Sequence, residues 1–378
     1  MRLSEINLYN LRLPFFREVS HSLYTRNRTE AVMVVACDES GHFGFGEGTP
    51  RHFVTGEALA DCQTAAASLS RSLCGRTIDS SQELMALLRS VGRQPMANRH
   101  PAAWCAVETA CLDLFARKRK VPLWRLFSRA CSRKGFDYSA VLPLIADGKM
   151  LDATLQLIRS TGASSVKIKI ADKESGVALF KRVRRILGAD ASLRVDANAA
   201  LTVDESLAFL EETVPLGLQA LEQPVAREDL DGLARVARKS PVPVVADESM
   251  YVEGGPRKFV ERRLCQAINL RISSCGGILK SLALIRRVKD NEMLWQLGAH
   301  VGETAVLSLA GRHLAAIASG YLFLEGSYQK YILQEDLTDM DLSFDSPDKA
   351  ALPNGPGLGA PILPDKIERY GEALAMIR

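Results

Sequence analysis

Seven short apolar runs in the second half of the chain each end in an ionisable residue, at intervals of 24 to 29 residues. That interval is about the length of one β-strand followed by one α-helix, and amphipathic stretches lie between the runs. Strands that repeat in this way are parallel, so their carboxyl ends meet at one edge of the sheet. The seven residues are Lys169, Asp196, Glu222, Asp247, Arg271, His300 and Glu325.

Eight runs of this kind occur between residues 136 and 330, and eight strand-and-helix units close a (β/α)8 barrel. Their sequences are YSAVLPLIA, SSVKIKI, SLRVDAN, LQALEQP, VPVVADES, AINLRIS, LWQLGAH and YLFLEGS. We therefore predict an α/β fold with a (β/α)8 barrel of the TIM type over residues 126–330. In such barrels the chemistry lies at the carboxyl ends of the strands, where the ionisable series falls.

The first 125 residues follow a different pattern, in which three strand-like runs precede helical stretches. The helical stretches are Gly56–Leu73, Ser81–Ser90 and Pro101–Lys118, each with apolar residues at three- and four-residue spacing. This order indicates a separate α+β domain over residues 1–125. Residues 331–378 include the Pro- and Gly-rich stretch ALPNGPGLGAPILP, and we expect them to return to the small domain.

The composition argues against several classes of partner. The 48 basic and 44 acidic residues are spread along the chain, and a net charge of +4 is too weak to indicate nucleic-acid binding. No apolar run approaches the roughly 20 residues that span a bilayer, and the first ten residues lack a signal peptide's apolar centre. Eight cysteines without a C-x-x-C pair indicate reduced thiols. We expect a cytoplasmic protein that binds neither nucleic acid nor membrane.

Three carboxylates, Asp196, Glu222 and Asp247, end three consecutive runs. At one rim they would repel one another unless a cation lay among them, and an all-oxygen site suits Mg²⁺ before Mn²⁺ or Ca²⁺. Asn198 lies two residues beyond Asp196 on the same face and is a candidate to contact the substrate or the outer shell of the metal. Glu248 is either a structural pairing partner or a catalytic residue.

The run SSVKIKI places Lys167 and Lys169 on one face and its apolar residues on the other. Inside a barrel, each lysine would lower the pKa of the other by repulsion, and partial desolvation would act in the same direction. A neutral lysine facing a carboxylate on Mg²⁺ can remove the proton α to that carboxylate, with the metal stabilising the enediolate. The alternative is a pair of structural lysines bound to the neighbouring carboxylates.

The order of these motifs resembles the muconate lactonizing enzyme (muconate cycloisomerase) subgroup of the enolase superfamily. The resemblance includes the K-x-K strand, the three acidic strands that follow it, and the segments GEGTPRHFVTGE, SSCGGILKS, GAHVGETAVLSLAGRHLA and GPGLG. It implies a modified barrel whose mouth is capped by the N-terminal domain, completed by the C-terminal tail. Loops at Phe15 to Arg28 and Thr49 to Val54 would then shape the substrate pocket.

The same resemblance implies roles for individual residues. Asp196, Glu222 and Asp247 would be the Mg²⁺ ligands, with Mn²⁺ as an alternative ion. Lys169 would be the acid/base, and Lys167 would assist it or contact the carboxylate of a small-molecule substrate. Relatives commonly assemble as dimers or larger rings, so a homo-oligomer is expected.

The chain departs from the family pattern at the end of the sixth run, where Arg271 replaces the usual lysine opposite the K-x-K pair. Guanidinium keeps its proton above pH 12 and cannot act as an ordinary base, so racemisation by two lysines is disfavoured. One-base chemistry remains, either cycloisomerisation or a syn elimination of the o-succinylbenzoate synthase type. Arg271 would then be a fixed cation or bind a second substrate carboxylate.

Three further rim residues leave alternatives open. His300 titrates near neutrality and is a candidate proton carrier for the second face, or else an orienting residue. Glu303 and Glu325 are candidates to bind a substrate ammonium, to orient His300 or to pair with Arg271. The leading hypothesis is a cycloisomerase-like isomerase. The alternatives are an epimerase or racemase of dipeptides or N-acylamino acids that uses His300, and a metal-dependent binding protein without turnover.

Overall fold

The computed structural model describes residues 1–378 except 22–23, 132–134, 253, 345–349 and 353. The described strands form a four-stranded antiparallel sheet, a seven-stranded parallel sheet and a two-stranded hairpin. The strands are β1 (Leu3–Leu11), β2 (Pro14–His21), β3 (Tyr24–Arg28), β4 (Ala31–Asp38), β5 (Phe43–Gly48), β6 (Ala140–Leu142), β7 (Ser165–Lys169), β8 (Ser192–Asp196), β9 (Leu218–Glu222), β10 (Val244–Ala246), β11 (Ala267–Leu270), β12 (Leu294–Leu297) and β13 (Gly371–Ile377).

Fifteen α-helices are assigned in the described residues, with three short 3-10 helices at Leu123–Leu126, Val214–Leu216 and Glu248–Tyr251. The α-helices are α1 (His52–Thr55), α2 (Leu59–Arg71), α3 (Ser81–Gly92), α4 (Pro95–Arg99), α5 (Pro101–Lys118), α6 (Gly148–Ser160), α7 (Lys173–Leu187), α8 (Val203–Thr213), α9 (Leu230–Lys239), α10 (Gly255–Arg262), α11 (Ile272–Cys275), α12 (Gly277–Asp290), α13 (Ala305–Ile317), α14 (Gln329–Ile332) and α15 (Pro364–Tyr370). Among the described residues, no helix has both the length and the apolar content needed to cross a membrane.

The N-terminal sheet has the strand order β13-β1-β4-β5 and packs against the buried helix α5. Glycines at every second position of β5 permit this contact. A Cβ at Gly46 would lie 1.9 Å from the carbonyl oxygen of Ala106, and one at Gly48 would lie 2.1 Å from that of Ala102. Strand β13 pairs antiparallel with β1, so the predicted return of the C-terminal tail to the small domain is confirmed.

The parallel sheet has the order β12-β11-β10-β9-β8-β7-β6, so seven of the eight predicted strands are confirmed in sequence order. The eighth run is not a strand and forms only an isolated bridge between Leu297 and Leu324. It nevertheless joins the two edges of the sheet. At one edge, the Glu325 amide donates to the carbonyl oxygen of Leu297, the last residue of β12, at 2.8 Å. At the other edge, the amide of Ser139, which precedes β6, donates to the carbonyl oxygen of Leu324, also at 2.8 Å. The barrel is closed through this segment.

Side-chain caps begin the helices that follow the first four barrel strands, β6 to β9. Each cap satisfies backbone N–H groups that have no partner within the helix. The caps are Asp147 for α6, Asp172 for α7, Thr202 with Glu205 in a capping box for α8, and Asp229 for α9. In these four units a polar residue therefore ends the strand-to-helix loop.

Two buried carboxylates of the N-terminal domain bind helix starts of the barrel. Glu108 of α5 accepts a hydrogen bond from the backbone N–H of Leu279 at 3.0 Å, in the first turn of α12. Glu47 of β5 accepts from the hydroxyl of Thr304 at 2.6 Å, at the start of α13. These contacts place the small domain over the sixth and seventh barrel units.

Candidate active site

The strand-end residues lie side by side as the spacing predicts. Lys169, Asp196 and Glu222 are the last residues of β7, β8 and β9, and they are consecutive partners in the register of the sheet. Asp247 follows β10, and Arg271 follows β11. The three carboxylates are fully buried. The sequence repeat therefore brings a row of three carboxylates, with a cation at each end, to one edge of the sheet.

The three carboxylates converge around one amine and one amide. Lys167 Nζ lies 3.3 Å from Asp196 Oδ2 and 3.6 Å from Glu222 Oε2. Asn269 Nδ2 donates to Glu222 Oε1 at 2.7 Å and lies 3.3 Å from Asp247 Oδ2. Glu222 is therefore central in the row, with a carboxylate on either side of it.

This donor set fits a hard divalent cation. Burial raises the pKa of Glu222 and of Asp247, although Lys167 opposes the shift of the first and Arg271 that of the second. Mg²⁺ binds carboxylate oxygens, and these buried carboxylates need more positive charge beside them. In the part of the chain that the structure describes, no three histidine, cysteine or acidic side chains are arranged closely enough to hold a metal ion as they stand. Lys167 and Arg271 supply the counter-charge there.

Lys167 is a buried cation held by carboxylates. Burial alone would lower its pKa, but Glu222, Glu325 and Asp196 outweigh burial and raise it. The expectation that this pKa would be lowered by Lys169 is therefore wrong. The sequence could not show that Glu325, 158 residues away, would form an ion pair with Lys167. This arrangement matches the structural role that was left open for Lys167.

Lys169 differs from Lys167 in its access to the mouth. Its side chain is 18% exposed, against 3% for Lys167, and its Nζ donates to Asn198 Oδ1 at 2.8 Å. Asn198 has a positive φ of 43°, a conformation that asparagine tolerates, and its backbone N–H donates to Asp196 Oδ1 at 3.0 Å. Asn198 thus links the exposed amine to a predicted metal ligand.

Arg271 donates from Nη2 to Asp247 Oδ2 and is largely buried beside it. Asp247 and Glu248 are the two carboxylates that act most strongly on the guanidinium, and they raise its pKa further. Glu248 is buried in the turn that follows Asp247. The first partner of the Arg271 guanidinium is therefore a carboxylate of the protein.

His300 is held by hydroxyl groups on both ring nitrogens. Nδ1 lies 3.1 Å from Thr49 Oγ1 of the N-terminal domain, and Nε2 lies 3.1 Å from Ser274 Oγ. Burial and the nearby guanidinium groups, Arg271 first among them, keep its pKa well below the ordinary value. Glu303 accepts the His300 backbone N–H at 2.7 Å and so orients this residue. The imidazole is neutral, and both of its nitrogens are occupied.

Glu325 pairs with cations of the barrel interior rather than with Arg271. Its Oε1 lies 2.8 Å from Lys167 Nζ and accepts from Arg194 Nη2 at 2.6 Å. Burial would raise the pKa of Glu325, but Lys167 and Arg194 together lower it to about 2. Of the roles considered for Glu325, pairing with a cation is the one observed, with different partners.

Sequence reasoning missed three polar residues of the interior, Arg194, Asn269 and Gln296. Gln296 donates from Nε2 to Glu222 Oε2 at 2.8 Å, and the guanidinium of Arg194 lies 4.4 Å from the ring centre of Phe323. A signal was present, because Arg194 and Asn269 lie two positions before the ionisable end of their runs and Gln296 lies four positions before it. An even spacing in a strand places a residue on the same face as that end. Only Lys167 was recognised by this rule.

Residues 149–366 match the protein-family profile described as Enolase C-terminal domain-like. The chain is 26% identical over 324 residues to a hydrophobic dipeptide epimerase from Enterococcus faecalis, which covers 84% of this chain and 87% of that protein. It is also 26% identical over 365 residues to muconate cycloisomerase 1 from Rhodococcus opacus, which covers 95% and 96% of the two chains.

A crystal structure of the dipeptide epimerase from E. faecalis, complexed with Mg and the dipeptide L-Leu-L-Tyr, has the same fold. The TM-score is 0.84 at 24% identity, over 95% of this chain and 99% of that one. The family profile covers more than half of the chain, including β7 through β12 and every residue of the ionisable series. This protein therefore belongs to the enolase superfamily.

Proposed function

We propose that this protein is a Mg²⁺-dependent isomerase that removes the proton α to a substrate carboxylate, with Lys169 as the only base. The single observation that carries the proposal is the contrast between the two sides of the carboxylate row. Lys169 presents an amine at the mouth beside Asp196, whereas Arg271 is bound to Asp247 and both His300 nitrogens are occupied. One-face chemistry of the cycloisomerase type follows from that contrast.

In this proposal Asp196, Glu222 and Asp247 hold the Mg²⁺. The ion supplies Lewis-acid stabilisation of the negative charge that develops on the substrate carboxylate. Asn198 orients the amine of Lys169 through the 2.8 Å hydrogen bond, and Lys169 removes the α-proton and holds it on Nζ. Lys167 remains protonated among its carboxylates and adds positive charge below the reacting carbons.

The return of the proton determines the product. After a ring-closing addition at the β-carbon, Lys169 can return the proton to the α-carbon on the original face. In a syn elimination it can give the proton to the hydroxyl group that leaves the β-carbon, but in neither case can it reach the opposite face. Muconate cycloisomerase 1 from R. opacus is a relative whose name implies ring chemistry. We propose a small carboxylic acid as the substrate and, among the one-base reactions, favour cycloisomerisation over syn elimination.

Epimerisation is the second candidate because relatives such as the E. faecalis enzyme are dipeptide epimerases. An epimerase needs a proton carrier on each face, and in this chain His300 would have to leave one of its hydroxyl partners to serve. Conversion of one stereoisomer of a dipeptide or N-acylamino acid into the other, abolished by His300→Asn, would establish this reaction and disprove the one-base proposal.

Hydrogen exchange tests the proposal directly. We would incubate the protein with Mg²⁺ in D₂O and a panel of carboxylic acids that includes diacids, dipeptides and N-acylamino acids, and follow α-deuterium by mass spectrometry. Lys169→Ala should lower the exchange rate by about 10²- to 10⁴-fold, the usual contribution of a general base. Lys181→Ala is the matched control, because Lys181 binds Glu212 on the exposed face of α7.

Two outcomes would contradict the proposal. Full exchange in Lys169→Ala would remove Lys169 as the base. Tight Mg²⁺-dependent binding of a carboxylate, with no exchange across the whole panel, would indicate a binding protein without turnover.

A further inference from the structure

The two oxygens of Asp247 have different environments. Oδ2 accepts a hydrogen bond from Arg271 Nη2 and has Asn269 Nδ2 at 3.3 Å. Oδ1 is equally buried but accepts no hydrogen bond from the residues that the structure describes. A buried carboxylate oxygen is normally satisfied, so an oxygen left over on a carboxylate that is otherwise bound calls for a ligand.

The carboxylate group that carries Oδ1 lies next to the other two proposed metal ligands. Asn269 Nδ2 binds both Glu222 Oε1 and Asp247 Oδ2, so the two carboxylates face each other across one amide. Asp196 joins the same group through Lys167, which reaches both Asp196 and Glu222. The unbonded oxygen of Asp247 thus belongs to the carboxylate row that the proposed function assigns to Mg²⁺.

We infer that Arg271 is a positioning residue for the metal: its guanidinium holds Oδ2 of Asp247 and leaves Oδ1 to bind the divalent cation. The inference rests on the metal site of the proposed function. Its chemistry is that of an outer partner, which fixes the orientation of a metal ligand without touching the metal. Arginine suits this task because its planar, rigid donor group stays charged and binds carboxylates in a defined geometry.

The inference gives the sixth-strand position a role that is neither base nor substrate contact. A lysine there would offer one flexible ammonium group, which can lose its proton and approach a substrate carbon. Arg271 does neither, because its guanidinium stays charged and is bound to Asp247. Arginine at position 271 therefore removes the second base and at the same time orients Asp247, the third proposed metal ligand.

The test is the Mg²⁺ affinity of the protein without substrate, measured by isothermal titration calorimetry. Arg271→Met should weaken Mg²⁺ binding by about 10- to 100-fold, the range found when an outer partner of a metal ligand is lost. Arg271→Lys, which keeps a charge and a donor, should restore part of that loss. Arg287→Met is the matched control, because Arg287 donates to Glu261 at 2.6 Å on the surface.

The outcomes separate this inference from the proposed function. Unchanged or tighter Mg²⁺ binding in Arg271→Met, with tight binding in the unmodified protein, overturns the role of Arg271 and leaves the metal proposal standing. Absence of Mg²⁺ binding in the unmodified protein overturns both. Circular dichroism checks that each variant is folded. If Arg271→Met does not fold, affinity in Arg271→Lys equal to that of the unmodified protein overturns the inference, and weaker affinity supports it.

Discussion

Lys167 and Glu325 form a buried ion pair across the interior of the barrel, with Nζ 2.8 Å from Oε1 and 3.0 Å from Oε2. One residue comes from the second apolar run and the other from the eighth. Arg194 binds the same carboxylate, so two cations share Glu325 beneath the carboxylate row. The charge of the site is therefore balanced in two layers, and only the upper layer meets the mouth.

Glu325→Gln should destabilise the protein by about 3 to 5 kcal/mol, because it leaves two buried cations without their common partner. The measurement is the free energy of unfolding from urea titration. Glu335→Gln is the control, since Glu335 pairs with Lys366 and Arg369 near the surface and should cost about 1 kcal/mol or less. Equal losses of free energy of unfolding in the two variants would show that the interior ion pair contributes no more to stability than the surface pairs.

Asn198→Ala should lower α-deuterium exchange by about 10- to 100-fold, because the amine of Lys169 loses the acceptor that orients it. The loss should fall on kcat more than on KM, since Asn198 acts on the base. The comparison is with Asn291→Ala, which removes an amide at the end of α12 that donates to the carbonyl oxygen of Arg287 and accepts from Arg263, far from the carboxylate row. A change confined to KM would instead make Asn198 a substrate-binding residue.

His300→Asn should keep α-deuterium exchange within about tenfold of the unmodified rate, because a one-base reaction does not pass a proton through this residue. Thr49→Val removes the same hydrogen bond from the side of the N-terminal domain. The two variants should therefore raise KM alike by loosening the segment around Thr49. Loss of exchange by a thousandfold in His300→Asn alone would assign the residue a direct part in proton transfer.

Glu108→Gln should change how stability depends on pH. Burial raises the pKa of Glu108 to about 7, against the opposing effects of the Leu279 N–H group and Lys280. A carboxyl whose folded pKa is raised stabilises the fold below its unfolded pKa of about 4.3, and this contribution is lost as pH rises through 7. Glutamine stays neutral throughout.

The free energy of unfolding of Glu108→Gln, relative to the unmodified protein, should therefore rise by about 2 kcal/mol between pH 5 and pH 8. Urea titrations of both proteins at the two pH values give this difference. Glu212→Gln, on the exposed face of α8, should show no such trend. A difference that falls with pH would mean that Glu108 is stabilised as a carboxylate.

The strand-end series was predictable because the length of a strand-and-helix unit is visible in one sequence. The partners of its members were not, since they come from distant parts of the chain. Thr49 reaches His300 from the N-terminal domain, and Glu325 reaches Lys167 around the whole barrel. The first contact occupies a ring nitrogen of His300, and the second keeps Lys167 protonated. Both therefore change the roles that the sequence suggested for these residues.

The elements of the small domain were predicted less completely. The runs that became β1, β4 and β5 were recognised, whereas the hairpin of β2 and β3 was not, because its polar residues show no regular alternation. The predicted pocket loop from Phe15 to Arg28 covers this hairpin, and its residues 22 and 23 lie outside the described part of the chain. The domain boundaries and the assembly into dimers or larger rings stay predictions.

The closing segment around Leu324 also sets the order in which the site can form during folding. Helices and neighbouring strand pairs need only local contacts, whereas the Lys167 to Glu325 pair joins residues 158 positions apart. Contacts of such large sequence separation form late, because a long loop must first lose its freedom. In refolding experiments the helical signal should therefore recover before Mg²⁺ binding does. A nascent chain that ends before residue 325 has no balanced site to offer a metal.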